Sequence, residues 1–405
     1  MFNVAITHAD NYRLDTVKAA LRRCFDSLGL PGRNPLGSII QPGNTVFIKP
    51  NWVASRWRES CPHRDNLYCV ITHPAVIEAV CGYAAEALNG KGRIIIGDNP
   101  SIDADFEELM SFTAVRERLM GKYGCELEIK DLRPLVCDDL KNYGKKSLMI
   151  PQSGDDRGTV QVNLGRESLF YGTDPSKFRG VFDEREDTIA SHTGDTQLYT
   201  YSRSLYDADV YISVPKLKTH QKVGATLNLK GLVGAVSDKN QLVHWQIGYP
   251  ENGGDEYPSR GAYEAGSKAK VKHRGAWPGN DTIWRMVVDL WHGMAKRRRK
   301  YFTVIDGITA GEGQGPFCPT SKNANTLIAA DNLIASDIAA VRYMGFDPVK
   351  INYLRYFLEG DISLDDINVI LDGRRINDFF VSGSKYLDFL TVPQWECIKI
   401  PPAQS

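Results

Sequence analysis

Four side chains able to bind anions or carry protons, Lys216, Lys218, His220 and Lys230, lie within fifteen residues of one another, and no acidic residue separates them. Cations without local carboxylate partners are suited to bind an anionic ligand. Lysines in such a group can also have a lowered pKa and handle protons. A solvated basic loop is the alternative, and these residues alone leave both interpretations open.

This segment directly follows the apolar run Ala208–Val214, which is predicted to be a strand. The residues after Val214 are therefore predicted to form a loop at the carboxyl end of that strand. Ligands collect at such ends in open α/β sheets. Thr219 and Asn228 belong to the same segment, and we predict that they bind the substrate together with Lys216.

Residues able to bind or react also follow the other predicted strands. They are Lys49 and Asn51 after Val46–Ile48, His73 after Val70–Ile71, Asp98 after Ile94–Ile96, and Asp306 and Glu312 after Val304–Ile305. A parallel sheet brings the carboxyl ends of its strands to one edge, so these side chains are predicted to meet although they are far apart in sequence.

His73 precedes Pro74 and is therefore predicted to lie at a helix N-terminus, where the helix dipole disfavours the imidazolium form. A neutral imidazole acts as a general base or binds a metal, and we predict either role for His73 and His220. A packed histidine that caps the helix is the alternative. For Asp98, the alternative to a functional role is that of a turn residue in Gly97–Pro100.

The elements that would position these residues alternate between strand and helix patterns, which predicts an α/β fold with a mainly parallel sheet, in two lobes with a β-rich insertion. The predicted strands are Phe2–Ile6, Asn44–Ile48, Arg93–Ile96, Ala208–Val214, Tyr301–Ile305 and Thr326–Ala330; the predicted helices are Leu14–Leu28, Pro74–Leu88 and Leu333–Met344. Four units are predicted: an α/β lobe at 1–150, the insertion at 151–205, an α/β segment at 206–300 and a C-terminal α/β lobe at 301–405. The third unit contains a long loop at 250–280 that is predicted to cover the site. The fourth contains a glycine-rich loop at 307–316.

Bulk composition excludes several classes of partner. The 405 residues carry 49 basic and 49 acidic side chains, so no overall charge favours nucleic acid or a membrane surface. No apolar run has the length of a membrane span, and a cytoplasmic location is expected. The eight cysteines include no C-x-x-C pair, and most are predicted to be reduced thiols in the core.

The chain resembles a large family of uncharacterised proteins known as domain of unknown function 362, which are often described as iron–sulfur centre proteins. The residues that carry the resemblance are Phe47–Asn51, Thr72–Pro74, Gly97–Asp98, Pro215–His220, Asn228–Gly231, Asp306–Gly307, Gly311–Pro316 and Ala330–Gly345. Many members carry an additional ferredoxin-like cysteine cluster, and this chain does not. The resemblance implies an iron–sulfur or metal-dependent redox or accessory protein.

More distantly, the chain is similar to nickel-pincer lactate racemases. In that family a histidine precedes the lysine that tethers the cofactor by ten residues, as His220 precedes Lys230 here, and Leu232–Gly234 follows as the family's Leu-x-Gly. Thr72 and His73 match a Thr-His at a helix start, and a later racemase histidine falls near His244. The similarity implies a nickel-pincer-like cofactor or another metal ion, with His73, His220 and His244 as its ligands.

We therefore predict an enzyme that acts on a small carboxylate- or phosphate-bearing metabolite by racemase- or epimerase-like proton or hydride transfer. Catalysis is assigned to His73, Lys218, His220 and Lys230, and substrate binding to Lys49, Asn51, Lys216, Thr219, Asn228 and Glu312. Two alternatives stay open: the metal-dependent redox protein named above, and a ligand-binding protein with a degenerate site.

Overall fold

The structure is a computed structural model, and it describes residues 1–30, 32–270, 273–381 and 387–401. Its strands are β1 (Phe2–His8), β2 (Thr45–Pro50), β3 (Arg93–Asp98), β4 (Glu126–Asp131), β5 (Leu135–Val136), β6 (Ile150–Pro151), β7 (Thr159–Asn163), β8 (Phe178–Arg179), β9 (Leu198–Ser202), β10 (Val210–Val214), β11 (Lys216–His220), β12 (Gly224–Ala225), β13 (Trp245–Gln246), β14 (Lys300–Gln314), β15 (Cys318–Ala330), β16 (Ile367–Leu371) and β17 (Arg374–Ile376). Its α-helices are α1 (Leu14–Ser27), α2 (Pro74–Leu88), α3 (Phe106–Thr113), α4 (Val115–Leu119), α5 (Glu186–Ser191), α6 (Arg203–Tyr206), α7 (Leu227–Gly231), α8 (Arg260–Ala269), α9 (Ile283–Ala295), α10 (Leu333–Met344) and α11 (Asn352–Gly360).

One large, mainly parallel sheet organises the molecule, in the order β17-β16-β1-β15-β14-β10-β2-β3-β4. The run from β14 to β4 is parallel throughout, whereas β15 pairs antiparallel with both β14 and β1. The predicted α/β class with a mainly parallel sheet is therefore correct. Strands from the first 150 residues and from residues 301–405 belong to this same sheet, while β7 and β9 pair in a separate two-stranded sheet.

Both faces of the central sheet are buried, as a parallel sheet requires. In β2, Val46 and Ile48 pack into one hydrophobic cluster and Phe47 packs into the other. The same alternation divides Ile94 and Ile96 from Ile95 in β3. This two-sided core fixes the strand ends on which the candidate site is built.

The segment after Val214 is a strand and not the predicted loop. β14 is fifteen residues long, and its edge pairs first with β10 and then, beyond Pro215, with β11. The ladder continues because the backbone N–H of Asp306 donates to the Pro215 carbonyl oxygen at 2.9 Å. The apolar run thus gives way to a polar but completely buried strand, which its composition did not reveal.

The predicted glycine-rich loop at 307–316 is likewise strand over most of its length. Residues 307–314 complete β14, and only the tip at 315–317 turns into β15. Glycine is required where another segment crosses closely: a Cβ on Gly311 would come within 2.5 Å of the Cys69 carbonyl oxygen. Glycine here permits close packing of backbone segments. In the sequence, glycines with this role look the same as glycines in a loop.

Two further local predictions are wrong. Val70–Ile71 lies after a short 3₁₀ turn and is not a strand. The predicted covering loop at 250–280 contains helix α8, which Ser259 caps through its side chain. Most of the eight cysteines were predicted to be reduced, and six are free, while Cys61 and Cys318 form a disulfide.

Within the described ranges, no helix has both the length and the apolar character needed to cross a lipid bilayer.

Candidate functional site

A cavity of ≈ 690 Å³ opens beside the carboxyl ends of β2, β3 and β11. Basic side chains dominate its lining: Lys49, Arg58, Arg179, Lys218, Lys222, Lys230, Lys239, Lys270 and Arg274. Among the residues the structure describes, the carboxylates in the lining are Asp98 and Asp183. Because Asp98 pairs with Lys49 and Asp183 pairs with Arg179, neither is available to neutralise the other cations directly.

The Lys49–Asp98 pair forms part of the cavity wall. Lys49 Nζ lies 2.7 Å from Asp98 Oδ1, and both side chains are almost fully buried. Asp98 also accepts hydrogen bonds from the backbone N–H groups of Trp52 (2.7 Å) and Asn99 (2.8 Å). Gly234 packs against this pair so tightly that a Cβ would collide with both side chains. The two strand ends of β2 and β3 are thereby fastened together at the site.

Lys218 and Lys239 point their amines at backbone carbonyl groups. Lys218 Nζ donates to the carbonyl oxygens of Val70 at 2.7 Å and Pro316 at 3.3 Å. Lys239 Nζ donates to those of Val233 at 3.1 Å and Asn99 at 3.4 Å. Burial lowers the pKa of each amine from 10.5 to about 7.

Lys230 is placed differently, because its Nζ donates no hydrogen bond to any residue in the described part of the chain. It ends the short helix α7, and its side chain is only 7% exposed. Burial, with a contribution from the nearby charge of Lys49, lowers its pKa to about 8. Thr226, four residues earlier, also lines the cavity, and its buried hydroxyl has no hydrogen-bond partner within the described ranges.

A buried carboxylate fixes helix α7 and with it Lys230. Asp337 accepts hydrogen bonds from the backbone N–H groups of Asn228 (3.0 Å) and Leu229 (2.9 Å), and from the Asn228 side chain (2.7 Å). Thr303 in turn donates to the Asn228 amide oxygen at 2.7 Å. Leu227 has a positive φ of 48°, a conformation that disfavours a branched side chain and that this network holds in place.

His220 and His244 both have Nδ1 bound to the backbone, and their Nε2 atoms are in opposite protonation states. Nδ1 of His220 accepts a hydrogen bond from the backbone N–H of Lys222 at 3.0 Å, so its proton resides on Nε2. Nδ1 of His244 lies 2.7 Å from the Leu242 carbonyl oxygen and must carry the proton there, which leaves Nε2 with a lone pair. Burial first, and neighbouring lysines second, lower the pKa of both rings and keep them neutral.

Lys222 and Trp245 form a pair at the same cavity. Lys222 Nζ stands 4.4 Å from the centre of the Trp245 ring, which is a favourable cation–π distance. The sequence interpretation overlooked Lys222 and Lys239. Lys222 belongs to the same basic segment and was there to be found, but Lys239 follows an aspartate in a short turn and gives no comparable signal.

The predicted residues separate into those that line this cavity and those that do not. The lining includes Lys49, Asn51, Lys218, His220, Lys230 and His244. The others are bound elsewhere. Thr219 donates to the Gly313 carbonyl oxygen at 2.9 Å, Asn228 is held by Asp337, and Glu312 pairs with Lys322 at 3.0 Å.

His73 and Lys216 belong to a second buried cluster, with Tyr12 and Asp306. Lys216 Nζ donates to Asp306 Oδ2 at 2.8 Å and to the Tyr12 hydroxyl at 3.0 Å, and the His73 ring stacks on Tyr12 with centres 3.7 Å apart. The ladder between β11 and β14 shifts register between Lys216 and Lys218, and the Lys218 amine donates instead to the Val70 and Pro316 carbonyl oxygens. Burial lowers the pKa of His73 to about 3, and its Nδ1 accepts from the Ala75 N–H as a helix cap.

The predicted metal set is therefore not assembled. In the described ranges, no group of three or more histidine, cysteine, aspartate or glutamate side chains is placed to hold a metal ion. His73 is in the second cluster, whereas His220 and His244 line the cavity. The free cysteines are also dispersed through the described part of the fold, and four of them, Cys24, Cys69, Cys81 and Cys137, are buried.

The disulfide joins two segments at the cavity. Cys61 follows Arg58, which lines the cavity, and Cys318 follows Pro316 and Phe317, which also line it. The Arg58 guanidinium lies 3.6 Å from the centre of the Phe317 ring. The tip between β14 and β15 is thereby held to the loop that follows β2.

Comparison with known proteins places this geometry in context. A family model described as "Domain of unknown function (DUF362)" matches residues 134–342, just over half of the chain. A protein of Synechocystis sp. described as thylakoid-associated is 24% identical over 349 residues, which are 86% of this chain and 76% of that protein. The lactate racemase apoprotein from Thermoanaerobacterium thermosaccharolyticum is a structural neighbour with a TM-score of 0.38 and 13% sequence identity. The match covers 85% of this chain and spans 57% of the racemase chain.

Proposed function

The chain belongs to the family described as domain of unknown function 362, a name that assigns no activity, and we propose that it is an enzyme acting on a small anionic metabolite. The metabolite binds in the basic cavity. His220 and His244 then move a proton at the carbon next to its carboxylate. The reaction class closest to this chemistry is racemisation or epimerisation.

The observation that carries the proposal is the group of buried lysines without carboxylate partners. Lys218, Lys230 and Lys239 are each at most 8% exposed, and they line the same cavity. Removing an ammonium from water costs several kcal/mol unless an opposite charge compensates it. A carboxylate or phosphate in the cavity supplies that charge, because the acids of the lining are already paired with Lys49 and Arg179.

The two histidines support the proton-transfer step. His220 offers an N–H donor and His244 offers a lone pair, so one ring can give a proton while the other accepts one. Their neutrality matters because an imidazolium could not act as a base. Asn51, whose side chain also lines the cavity, supplies an amide to orient the ligand.

Two measurements on the wild-type protein test the proposal. Calorimetric titration with sulfate, phosphate, lactate and pyruvate measures whether the cavity binds anions. Proton NMR in D₂O measures whether a panel of 2-hydroxy and 2-amino acids exchanges the hydrogen at C2. We expect binding of at least one carboxylate and enzyme-dependent exchange. Absence of both anion binding and exchange would exclude the proposal.

A further inference from the structure

We propose that Lys230 is a nucleophile that forms an imine with a substrate carbonyl group, so that the ligand of the cavity is a small 3-oxo acid, whose C2 lies between the carboxylate and the carbonyl carbon. This inference rests on the proposed function, since it assigns a covalent role inside the same cavity. It narrows the substrate class from anions in general to anions with a reactive carbonyl.

Lys230 is distinguished from its neighbours by what its amine contacts. The amines of Lys218 and Lys239 each donate to two backbone carbonyl groups, and that of Lys49 pairs with Asp98. Lys230 Nζ has no such partner among the described residues, although its side chain is buried. Its lone pair, once the amine is deprotonated, is free to attack a ligand in the cavity.

The surroundings of Lys230 favour the free amine. Lysines become nucleophilic at neutral pH when they are desolvated or lie near another cation. Both conditions hold here, and burial together with the charge of Lys49 lowers the pKa of Lys230 to about 8. A measurable fraction of the amine is therefore deprotonated near neutral pH.

Groups that assist the addition and dehydration also face the cavity. Thr226 lines the same cavity as Lys230, and its buried hydroxyl has no hydrogen-bond partner among the described residues. The Nε2–H of His220 is a donor for the oxygen of the reacting carbonyl. An ammonium has three N–H donors, so Lys218 and Lys239 each keep one for the substrate carboxylate.

The step balances without any oxidant or reductant. The lone pair of Lys230 Nζ forms a C–N bond to the carbonyl carbon while the C=O π electrons move to oxygen, which is protonated. The C–O bond of this carbinolamine then breaks, and the oxygen leaves as water. One amine and one carbonyl thus give one imine and one water molecule, and His244 is free to accept a proton from the carbon next to the imine.

Lys222 is the rival nucleophile, because its amine also lacks hydrogen-bond partners in the described part of the chain and burial lowers its pKa strongly. It differs in that the face of Trp245 stabilises its charged form. The test must therefore identify which lysine reacts.

The experiment incubates the intact wild-type protein with acetoacetate and sodium cyanoborohydride, which reduces an imine to a stable secondary amine. Intact-mass spectrometry counts the adducts, and peptide mapping locates them. We expect one adduct on Lys230 and at least a tenfold lower yield with Lys230→Arg, because a guanidinium keeps the charge and forms no imine. Lys350→Arg removes an exposed lysine outside the cavity and is the matched control.

The outcomes separate this inference from the proposed function. Acetoacetate binding in calorimetry without a trapped adduct overturns the imine and leaves the anion site standing. An adduct mapped to Lys222, Lys218 or Lys239 in place of Lys230 also overturns it, and this result comes from the wild type, so it does not depend on the folding of a variant. A Lys230 that is isolated already carrying another covalent group overturns it as well.

Discussion

At the scale of single residues, the chemistry of the cavity depends on the hydrogen-bond partners of its amines and imidazoles and on where their protons lie. The backbone carbonyl of Leu242 sets the proton position on His244, and the N–H of Lys222 sets it on His220. Neither backbone group changes charge with pH, so the two rings keep complementary forms over a broad range. The lysines, in contrast, titrate close to neutrality.

Anion affinity is therefore expected to fall as the pH rises. A lysine with a lowered pKa is cationic below that value and neutral above it, and the pKa is about 7 for Lys218 and Lys239 and about 8 for Lys230. A bound anion favours the protonated amines, so binding is strongest on the acid side. Sulfate, whose charge is constant over this range, should bind at least about tenfold more weakly at pH 9 than at pH 6 in calorimetry. A flat profile would contradict the assignment of these lysines.

Replacing His220 by Asn should separate binding from chemistry. The substitution removes the imidazole Nε2–H donor. Proton exchange should therefore slow by about a hundredfold or more, the rate effect expected when an acid–base group is lost. Sulfate affinity should change little, because the neighbouring lysines remain. His8→Asn, which alters an exposed histidine, is the control. Full exchange activity in His220→Asn would remove this residue from the mechanism.

At the scale of elements, the site depends on how helix α7 is fixed. Five residues are too few to form a stable helix alone, so its position comes from Asp337 in α10 and Thr303 in β14. The contacts join three segments that are separated by as many as 109 residues. A substitution in α10 should therefore change the position of the Lys230 amine.

Asp337→Ala should weaken anion binding although Asp337 does not line the cavity. The substitution leaves the N–H groups of Asn228 and Leu229 buried without an acceptor, which costs about 1–3 kcal/mol for each. Sulfate affinity should drop about tenfold and the unfolding midpoint should also fall. Asp331→Ala, two residues before the start of the same helix in an exposed position, should change neither quantity. Unaltered affinity in Asp337→Ala would show that α7 keeps its place by other contacts.

The elements also show what the sequence could predict. Helices α2 and α10 have the bounds predicted from the sequence, and α2 begins at the expected proline, Pro74. β11 was missed because buried strands are recognised by apolar residues, and this one carries two lysines and a histidine. The two lysine amines have partners far along the chain, Asp306 for Lys216 and the Val70 carbonyl oxygen for Lys218, which no pattern within the strand records.

At the scale of the whole molecule, buried carboxylates make stability depend on pH. Asp289 in α9 is completely buried, and burial raises its pKa from 3.8 to about 7. It accepts hydrogen bonds from Ser168 at 2.5 Å and from the Leu169 N–H at 2.8 Å, which link α9 to the residues after β7. Because the folded-state pKa is raised, this carboxyl contributes full stability below about pH 4 and loses that contribution as the pH rises through 7.

Asp289→Asn is expected to raise the unfolding midpoint at pH 8 relative to the wild type. The amide resembles the protonated acid in shape and avoids a buried charge. Each kcal/mol added to the free energy of unfolding raises the midpoint by about 2–4 °C in a domain somewhat smaller than this chain. The difference in unfolding midpoint between variant and wild type should be smaller at pH 5, where the wild-type carboxyl is itself mostly protonated. Asp281→Asn, an exposed aspartate just before the same helix, should shift the midpoint equally at both values. Calorimetric scans that show no pH-dependent difference would contradict the raised pKa.

The position of β1 has a consequence for the order in which the protein acquires its structure. The strand at Phe2–His8 has as its two neighbours β15 and β16, whose residues lie more than 300 positions later. During synthesis on the ribosome this apolar strand emerges well before either of its partner strands, which follow more than 300 residues later. Such distant pairing slows folding and leaves hydrophobic segments exposed, so the nascent chain should need chaperone protection for most of its translation.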